Sequence, residues 1–490
     1  MNTVGIDIGT SSVKVALVGE DDHVIASASR PLVVSRPQPG FSEQDPRAWW
    51  QAVVECMDEL KARSGPALAD AQAIGLSGQM HGATLLDEKG EVLRPCILWN
   101  DGRSAAQCER LTSSWPGLHA VTGNLAMPGF TAPKLMWVAE HEPEIFKRVA
   151  KVLLPKAYVR LRLCGQYVEE MSDASGTLWL DVAQRDWSDA ALFATGMRRD
   201  QMPRLVEGNA KSGELGVEWV QRWGFKRAPV IAGGAGDNAA GAVGLGAVHA
   251  GDAFVSLGTS GVLWATTAAF APAPARAVHA FCHALPNTWH QMGVLLSAAA
   301  SLAWWASVSG ALEGTLLGEV DPAAPPSPCS FAPYLNGERT PHNDAAVRGG
   351  FLGLDGGTTR AQMTLAVLEG VAYAMRDAQD ALASAGTRLE EADLIGGGAR
   401  SPLWGQIMAD VLNLPLHQVA ESEIGCALGA ARLARLALGA PLASLRRPAR
   451  VRTFEPRADR ARQHAERHRR WHGLYPALAT FARQGKAGAR

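Results

Sequence analysis

Val4-Gly-Ile-Asp-Ile-Gly-Thr-Ser-Ser-Val-Lys-Val-Ala-Leu-Val18 returns, altered, about halfway along the chain as Phe254-Val-Ser-Leu-Gly-Thr-Ser-Gly-Val-Leu-Trp264. In each copy an apolar, largely β-branched run breaks at Gly-Thr-Ser and a second apolar run follows, the pattern of a tight hairpin. Two like hairpins predict two like domains. Gly9 and Gly258 let the backbone come close to an anion, and Thr10, Ser11, Thr259 and Ser260 add hydroxyl donors to the turn amides, which together make a phosphate cradle. The copies differ at one point: Asp7 interrupts the first strand where Ser256 stands in the second. A carboxylate there is costly to bury unless a cation meets it. Beside a phosphate loop that cation is expected to be hydrated Mg²⁺, held through one or two carboxylates and phosphate oxygens. The simpler alternative is that Asp7 and the hydroxyls only stabilise two surface turns.

A chain of 490 residues is too long for one core, and with 47% hydrophobic and 19% charged residues it reads as an ordinary globular protein of two large domains. A net charge of −1 argues against a nucleic-acid or membrane-surface role. The seven cysteines contain no Cys-x-x-Cys pair and are expected as reduced thiols. No basic segment and apolar run opens the chain, and no apolar stretch reaches the roughly 18 residues of a membrane helix, so a cytoplasmic location is expected.

Asp45-Pro46 reads as the N-cap and first residue of a helix carrying Trp49, Trp50, Val53, Val54 and Met57. Ala73-Ile-Gly-Leu-Ser-Gly-Gln79-Met80-His81-Gly82 is a strand that ends in polar and flexible residues, and Ile97-Leu-Trp99-Asn100-Asp101-Gly-Arg103 repeats the form. Strand ends in α/β sheets open onto crevices, and this mix of ring, amides, carboxylate and guanidinium suits a polyol. His81 is alternatively a core histidine, and Asp101 and Arg103 alternatively pair with each other. Pro229-Val-Ile-Ala-Gly-Gly-Ala-Gly-Asp237-Asn238 is a strand, a glycine turn and a helix start, with Asp237 either a helix cap or a general base stabilised by the helix end. Tyr334-Leu-Asn-Gly-Glu-Arg339-Thr-Pro341 is a polar loop expected to reach across an interdomain cleft. Leu394-Ile-Gly-Gly397-Gly398-Ala-Arg-Ser401-Pro402 repeats the glycine-turn plan, leaving room for a flat heterocycle, with Ser401 as N-cap. Gly425-Cys-Ala-Leu-Gly-Ala-Ala431 is a small-residue helix face, and residues 446–470 read as a solvated helix closing the chain.

These pieces together resemble the FGGY family of carbohydrate kinases, over essentially the whole length. The resemblance rests on Asp7-Ile-Gly-Thr-Ser11, residues 129–141 and 350–369, Gly236-Asp237-Asn238-Ala-Ala-Gly241, Gly258-Thr-Ser260 and Gly396-Gly-Gly-Ala-Arg-Ser401. Gln79-Met-His-Gly82 and Trp99-Asn-Asp-Gly-Arg103 are similar to the members that phosphorylate D-xylulose. The resemblance implies an α/β fold of two ribonuclease-H-like (actin/hexokinase-type) domains, residues 1–247 and 248–490, facing a central cleft. It implies ATP and Mg²⁺, with transfer of the γ-phosphoryl group to the 5-hydroxyl of D-xylulose and another ketopentose or a polyol as the alternative substrate. By position it implies Asp237 as base and Asp7 as the catalytic metal ligand. It implies Gln79, Met80, His81, Trp99, Asn100, Arg103, Asp237 and Asn238 around the sugar. Around the nucleotide it implies Thr10, Ser11, Lys14, Gly258, Thr259, Gly397, Gly398 and Ser401. A homodimer is left open. The turn before Asp237 is one residue longer than the Gly-Gly-Gly form of some relatives, which bears on how the backbone approaches. Two rivals remain: a nucleotide-dependent binding or filament protein on the same fold, and a dinucleotide-binding dehydrogenase, for which no Gly-x-Gly-x-x-Gly opens a helix after the first strand.

Overall fold

The computed structural model describes residues 1–420 and 425–487. Both Gly-Thr-Ser stretches form hairpins. β1 (Asn2–Ile8) pairs antiparallel with β2 (Ser12–Val18), and β2 with β3 (Val24–Pro31). On its other edge β1 takes β4 (Ala71–Gly78) in parallel. β5 (Lys211–Glu214), β6 (Val230–Ala232) and the short β7 (Ala235–Gly236) complete a seven-stranded sheet of order β5-β6-β4-β1-β2-β3, with β7 also on β4.

The second half repeats the plan with β8 (Ala253–Leu257), β9 (Gly261–Thr267), β10 (His279–Cys282), β11 (Trp289–Leu295), β12 (Ala392–Ile395), β13 (Leu416–Val419) and β14 (Arg450–Phe454). Their order is β10-β11-β9-β8-β12-β13-β14. In both sheets antiparallel strands, β3-β2-β1 in one and β10-β11-β9-β8 in the other, continue into two parallel strands, β4 and β6 in one, β12 and β13 in the other. That order is the ribonuclease-H-like arrangement expected from the sequence.

α1 (Pro46–Ala69) starts as predicted: Asp45 accepts the Arg47 amide and Pro46 fills the first position, where the missing N–H costs nothing. Trp49 is buried, while Trp50 is only partly so and packs edge-on to Trp219. Two helices then cross between the halves. α2 (Asp237–Leu245) follows the first sheet in the chain, and its Ala239, Ala240, Ala242 and Val243 share a core with Phe254 and Trp264 of the second. α5 (Gly425–Ala437) belongs to the second half of the chain, yet its Ala427, Leu428 and Ala431 pack on Ala16 and Val18 of the first sheet. The backbones approach so closely that a Cβ at Gly5 would lie 1.8 Å from the Ala427 carbonyl oxygen, and one at Gly429 1.8 Å from that of Ala240. Small residues on this helix face are thus a steric requirement.

α3 (Arg360–Ser384) and α4 (Pro402–Leu412) cover the second sheet, the latter capped by the Ser401 hydroxyl, which accepts the Trp404 amide. The arginine-rich tail departs from the expected solvated helix. Residues 450–454 form the edge strand β14, and α6 (Ala458–His472) docks through buried His464 and Trp471, whose indole donates to the Phe331 carbonyl at 2.8 Å. Among the described residues no helix is long and apolar enough to cross a membrane.

Candidate active site

The start of α2, strand β8 and the glycine turn ahead of α4 meet at the space between the sheets. A cleft of about 750 Å³ is lined there by Asp237, Asn238, Ser256, Ile395, Gly396 and Cys426 among others. In the first turn the Gly9 amide donates to the Ser12 carbonyl at 3.0 Å. The Thr10 hydroxyl donates to Gln79 Oε1 and accepts from the Trp99 indole, each at 3.0 Å. Gln79, expected at the sugar, is instead buried beneath the first Gly-Thr-Ser turn, where its amide also donates to Gln44 Oε1 at 2.9 Å. Ser11 is exposed at the turn tip, and Lys14 stands opposite Asp7 in the β1–β2 ladder.

The second turn is anchored on the helix Ala299–Ser309: the Gly258 carbonyl accepts the Ala299 amide at 2.8 Å and the Thr259 carbonyl the Ala298 amide at 2.9 Å, leaving the Thr259 side chain exposed. Gly396, at φ +89°, is pressed against Leu257 and Gly258, so the third glycine turn abuts the second Gly-Thr-Ser turn. Its neighbours divide. Gly397 has open space where a side chain would project, whereas a Cβ on Gly398 would meet Leu257 and Trp404 at about 3 Å, so Gly398 serves packing.

Asp237 is the first residue of α2 and the N-cap is Gly236, so Asp237 does not hold the N-cap position, although one of its oxygens accepts a first-turn amide. Its Oδ1 accepts from the Asn238 amide at 2.7 Å and from the Asn238 side chain at 2.9 Å, and Oδ2 has no hydrogen-bond partner among the described residues. Burial, then the charge of Asp7, pushes its carboxyl up to about 7, the range in which a general base operates at neutral pH. Burial also raises Asp7, opposed by the Ser77 hydroxyl that donates to Oδ1 at 2.9 Å and by the Lys14 ammonium. Two carboxylates facing one gap form an oxygen-donor set that suits a hard divalent cation.

Behind Asp237 lies a sealed charge cluster that sequence reading did not find. Lys156 meets Glu169, Asp173 at 3.4 Å and Glu170 at 3.6 Å, all fully buried. Glu170 Oε1 and the Ser172 hydroxyl accept the Gly236 amide at 3.1 and 3.0 Å, and Arg160 donates to the Gly233 carbonyl. This cluster fixes the long turn. Gly234 there has φ +75°, and a Cβ on it would lie 2.1 Å from the Leu76 carbonyl oxygen.

The wall expected to hold the sugar runs from Met80, packed on Gly236, to His81. His81 has φ +69°, a left-handed conformation uncommon for a non-glycine residue and found disproportionately at functional sites. Its carbonyl is held by the Lys134 ammonium at 2.9 Å and the Thr131 hydroxyl at 3.1 Å, and its Nδ1 lies 2.6 Å from the Gly176 carbonyl oxygen. Burial lowers the imidazole to about 3, so it is neutral. The proton then sits on Nδ1, and Nε2 presents a lone pair. Phe130 lies edge-on to His81 at 4.8 Å, and Phe281 of the second sheet approaches to 6.3 Å.

Trp99 is 42% exposed and Asn100 is exposed beside it. Arg103 takes the structural alternative: its guanidinium is bonded to Asp101, paired with Glu43 at 2.7 Å, and lies over the Phe41 ring. Its Nε and Nη2 are thereby committed to the loop. Lys134, in the stretch 129–141, also went unread; a lysine inside an apolar helix face was the available signal.

Comparison with known proteins gives a consistent picture. Residues 2–244 match the N-terminal domain of the FGGY family of carbohydrate kinases and residues 253–438 its C-terminal domain. The chain is 51% identical over 436 residues to the xylulose kinase of Escherichia coli, covering 89% of this chain and 90% of that one. It is 38% identical to the xylulose kinase of Bacillus subtilis, with 89% and 88% covered. Among solved structures, a xyloylose kinase from Brucella ovis superposes with a TM-score of 0.96 at 49% identity, over 98% of this chain and all of the other.

Proposed function

The chain belongs to the FGGY family of carbohydrate kinases, and on that premise we propose that it transfers the γ-phosphoryl group of ATP to the 5-hydroxyl of D-xylulose. What carries the reading, in a chain so similar to xylulose kinases, is Asp237: one carboxylate oxygen is held by Asn238, the other has no hydrogen-bond partner among the described residues, and the charge of Asp7 acts on it.

Phosphoryl transfer asks little covalent work of a protein, so positioning and charge dominate. The sugar's 5-oxygen attacks the γ-phosphorus; the bond from that phosphorus to the β–γ bridging oxygen breaks, ADP departs, and the hydroxyl proton passes to Asp237 Oδ2. Asn238 keeps the acceptor oxygen aimed by holding its twin. His81 Nε2, as a lone pair, accepts a hydrogen bond from a sugar hydroxyl, while Trp99 covers an apolar edge. Thr10, Ser11 and Lys14 on one hairpin, and Gly258 and Thr259 on the other, address the phosphates, and the open face of Gly397 admits the base. The division at residue 247 assigns the sugar and the metal ligand to the first domain and most of the nucleotide contacts to the second. Mg²⁺ would be held by Asp7, with Asp237 close by, and when bound supplies positive charge against the β- and γ-phosphate oxygens.

The test is ADP release by the purified protein with ATP and Mg²⁺ against D-xylulose, D-ribulose, L-ribulose, L-xylulose, glycerol, gluconate and no sugar. A strong preference for D-xylulose over a low blank is expected. Preference for another sugar would move the substrate; activity on none, with ATP still bound, would remove the kinase reading.

A further inference from the structure

The polar loop at residues 334–341 has one cation whose surroundings call for a ligand. The loop is stitched on both sides of Arg339 to β11 and to Leu296 just past its end. The Thr340 amide donates to the Val294 carbonyl at 3.0 Å, the Val294 amide to the Thr340 hydroxyl at 2.9 Å, and the Leu296 amide to Glu338 Oε1 at 2.9 Å. From this fixed backbone the Arg339 guanidinium reaches His279, with Nη1 3.3 Å from Nε2.

The polarity of that contact can be read outward from Asn124. Its Nδ2 donates to the carbonyls of Thr122 and Ala280, so its Oδ1 faces His279 Nδ1, 3.1 Å away, and that nitrogen must carry the proton. His279 Nε2 is then a lone pair, and it accepts one N–H of Arg339. The guanidinium has five such donors. Among the described residues no carboxylate forms an ion pair with it, and burial keeps both His279 and His81 uncharged. Arg339 is thus a cation beside neutral rings, with its donors largely unspent.

Those rings are the sugar wall. His279 lies 5.7 Å from Phe130, which lies 4.8 Å from His81, and His81 follows Met80, which packs on Gly236 next to the base. The order along the wall is Asp237, Met80, His81, Phe130, His279, Arg339. A ketose with its 5-hydroxyl at Asp237 therefore extends its C1–C2 end toward Arg339. Resting on the D-xylulose reading above, we propose that Arg339 is a substrate-binding and specificity-determining residue contributed by the second domain, donating to the C2 keto oxygen and the C1 hydroxyl oxygen. A planar guanidinium suits such a pair of neighbouring oxygens. Because the sugar sits on the first domain, this contact also ties sugar binding to closure of the cleft.

The experiment compares the wild-type chain with Arg339→Gln and Arg339→Lys, on D-xylulose and on 1-deoxy-D-xylulose, which lacks the C1 hydroxyl. In Arg339→Gln, KM for D-xylulose should rise at least tenfold, KM for ATP should change less than twofold, and the wild-type preference for D-xylulose over the deoxy sugar should largely vanish. Arg339→Lys should recover part of the KM. A Tm within 2 °C of wild type shows that Arg339→Gln is folded; if it is not, Arg339→Lys carries the same comparison. An unchanged D-xylulose preference in the folded variant, or KM values for sugar and ATP rising together, would overturn the assignment. Should the wild type turn over a different sugar, the substrate reading falls separately, and Arg339 is scored by the same KM comparison on that sugar.

Discussion

Replacing Asp237 by Asn should make the ligand-free protein more stable at pH 8 while removing its activity. The carboxyl is displaced from 3.8 to about 7, chiefly by burial and then by Asp7. Its folded-state affinity for a proton thus exceeds that of the unfolded chain. Between pH ~4 and ~7 the folded protein retains a proton that the unfolded chain gives up, so stability is lost as pH rises through this window, and the full cost is present above pH 7. At 1.36 kcal/mol per tenfold in proton affinity the displacement corresponds to roughly 4 kcal/mol. The side chain lines an open cleft and is only partly buried, so water screens it, and about 1–2 kcal/mol is the reasonable expectation.

Asparagine keeps the shape and an oxygen to accept both Asn238 donors, so the change is close to removal of charge alone. For a domain of this size 1–2 kcal/mol is about 2–8 °C in Tm. Thermal unfolding of wild type and Asp237→Asn, with chelator and without nucleotide, should show that gain at pH 8 and little of it at pH 4.5. Added Mg²⁺ and ATP should narrow the gap, since they stabilise the ionised wild type. Equal Tm values at pH 8, or the same gain at both pH values, would mean that the carboxylate is not destabilised in the folded protein, and the account of it as a base tuned by burial would fail.

Three further outcomes follow from the same geometry. Asp237→Asn should lower kcat about 10²-fold or more under saturating substrates, the usual scale for loss of a general base, and near-normal turnover would exclude that role. Gly429→Ala drives a methyl to within 1.8 Å of the Ala240 carbonyl oxygen and should cost several kcal/mol or prevent folding, whereas Gly397→Ala enters open space and should leave Tm unchanged while raising KM for ATP. Lys134→Met leaves the Gly129 carbonyl, now 2.6 Å from the ammonium, without that donor, and leaves the His81 carbonyl to Thr131 alone; KM for the sugar should rise about tenfold, as a loss of 1–2 kcal/mol of positioning implies, with KM for ATP unaffected.

What the sequence made legible was local. The hairpins at Gly9 and Gly258, the cap at Asp45 and the cap at Ser401 are each specified within a few residues, by a glycine turn or by a polar side chain ahead of an apolar period. The residues that escaped are specified by distant partners. Gln79 stands in a polar strand end and reads as a ligand residue, yet the hydroxyl it meets belongs to Thr10, 69 residues earlier. Arg103 looks available until Glu43 and Asp101 are brought around it. Lys156, Glu169, Glu170 and Asp173 look like ordinary surface charges in the chain, and only the fold seals them together. β14 was missed because an edge strand of alternating arginines, with Phe454 alone buried, has the composition of a solvated helix.

The asymmetry between the two hairpins now has a physical reason. On the proposed reading a nucleotide brings several negative charges between two Gly-Thr-Ser turns, and a carboxylate on both would add two fixed negative charges to that load. The second copy has Ser256 at the place of Asp7, a group that donates a hydrogen bond and carries no charge. The second carboxylate enters instead from the start of α2, as Asp237, the base of the proposed reaction. α2 is held against the second sheet by its small residues and against α5 by Gly429, so Asp237 is positioned by the crossing helices and not by either hairpin turn. On the proposed reading one hairpin carries the metal ligand and the other a hydroxyl, and the crossing helices bring Asp237 between them.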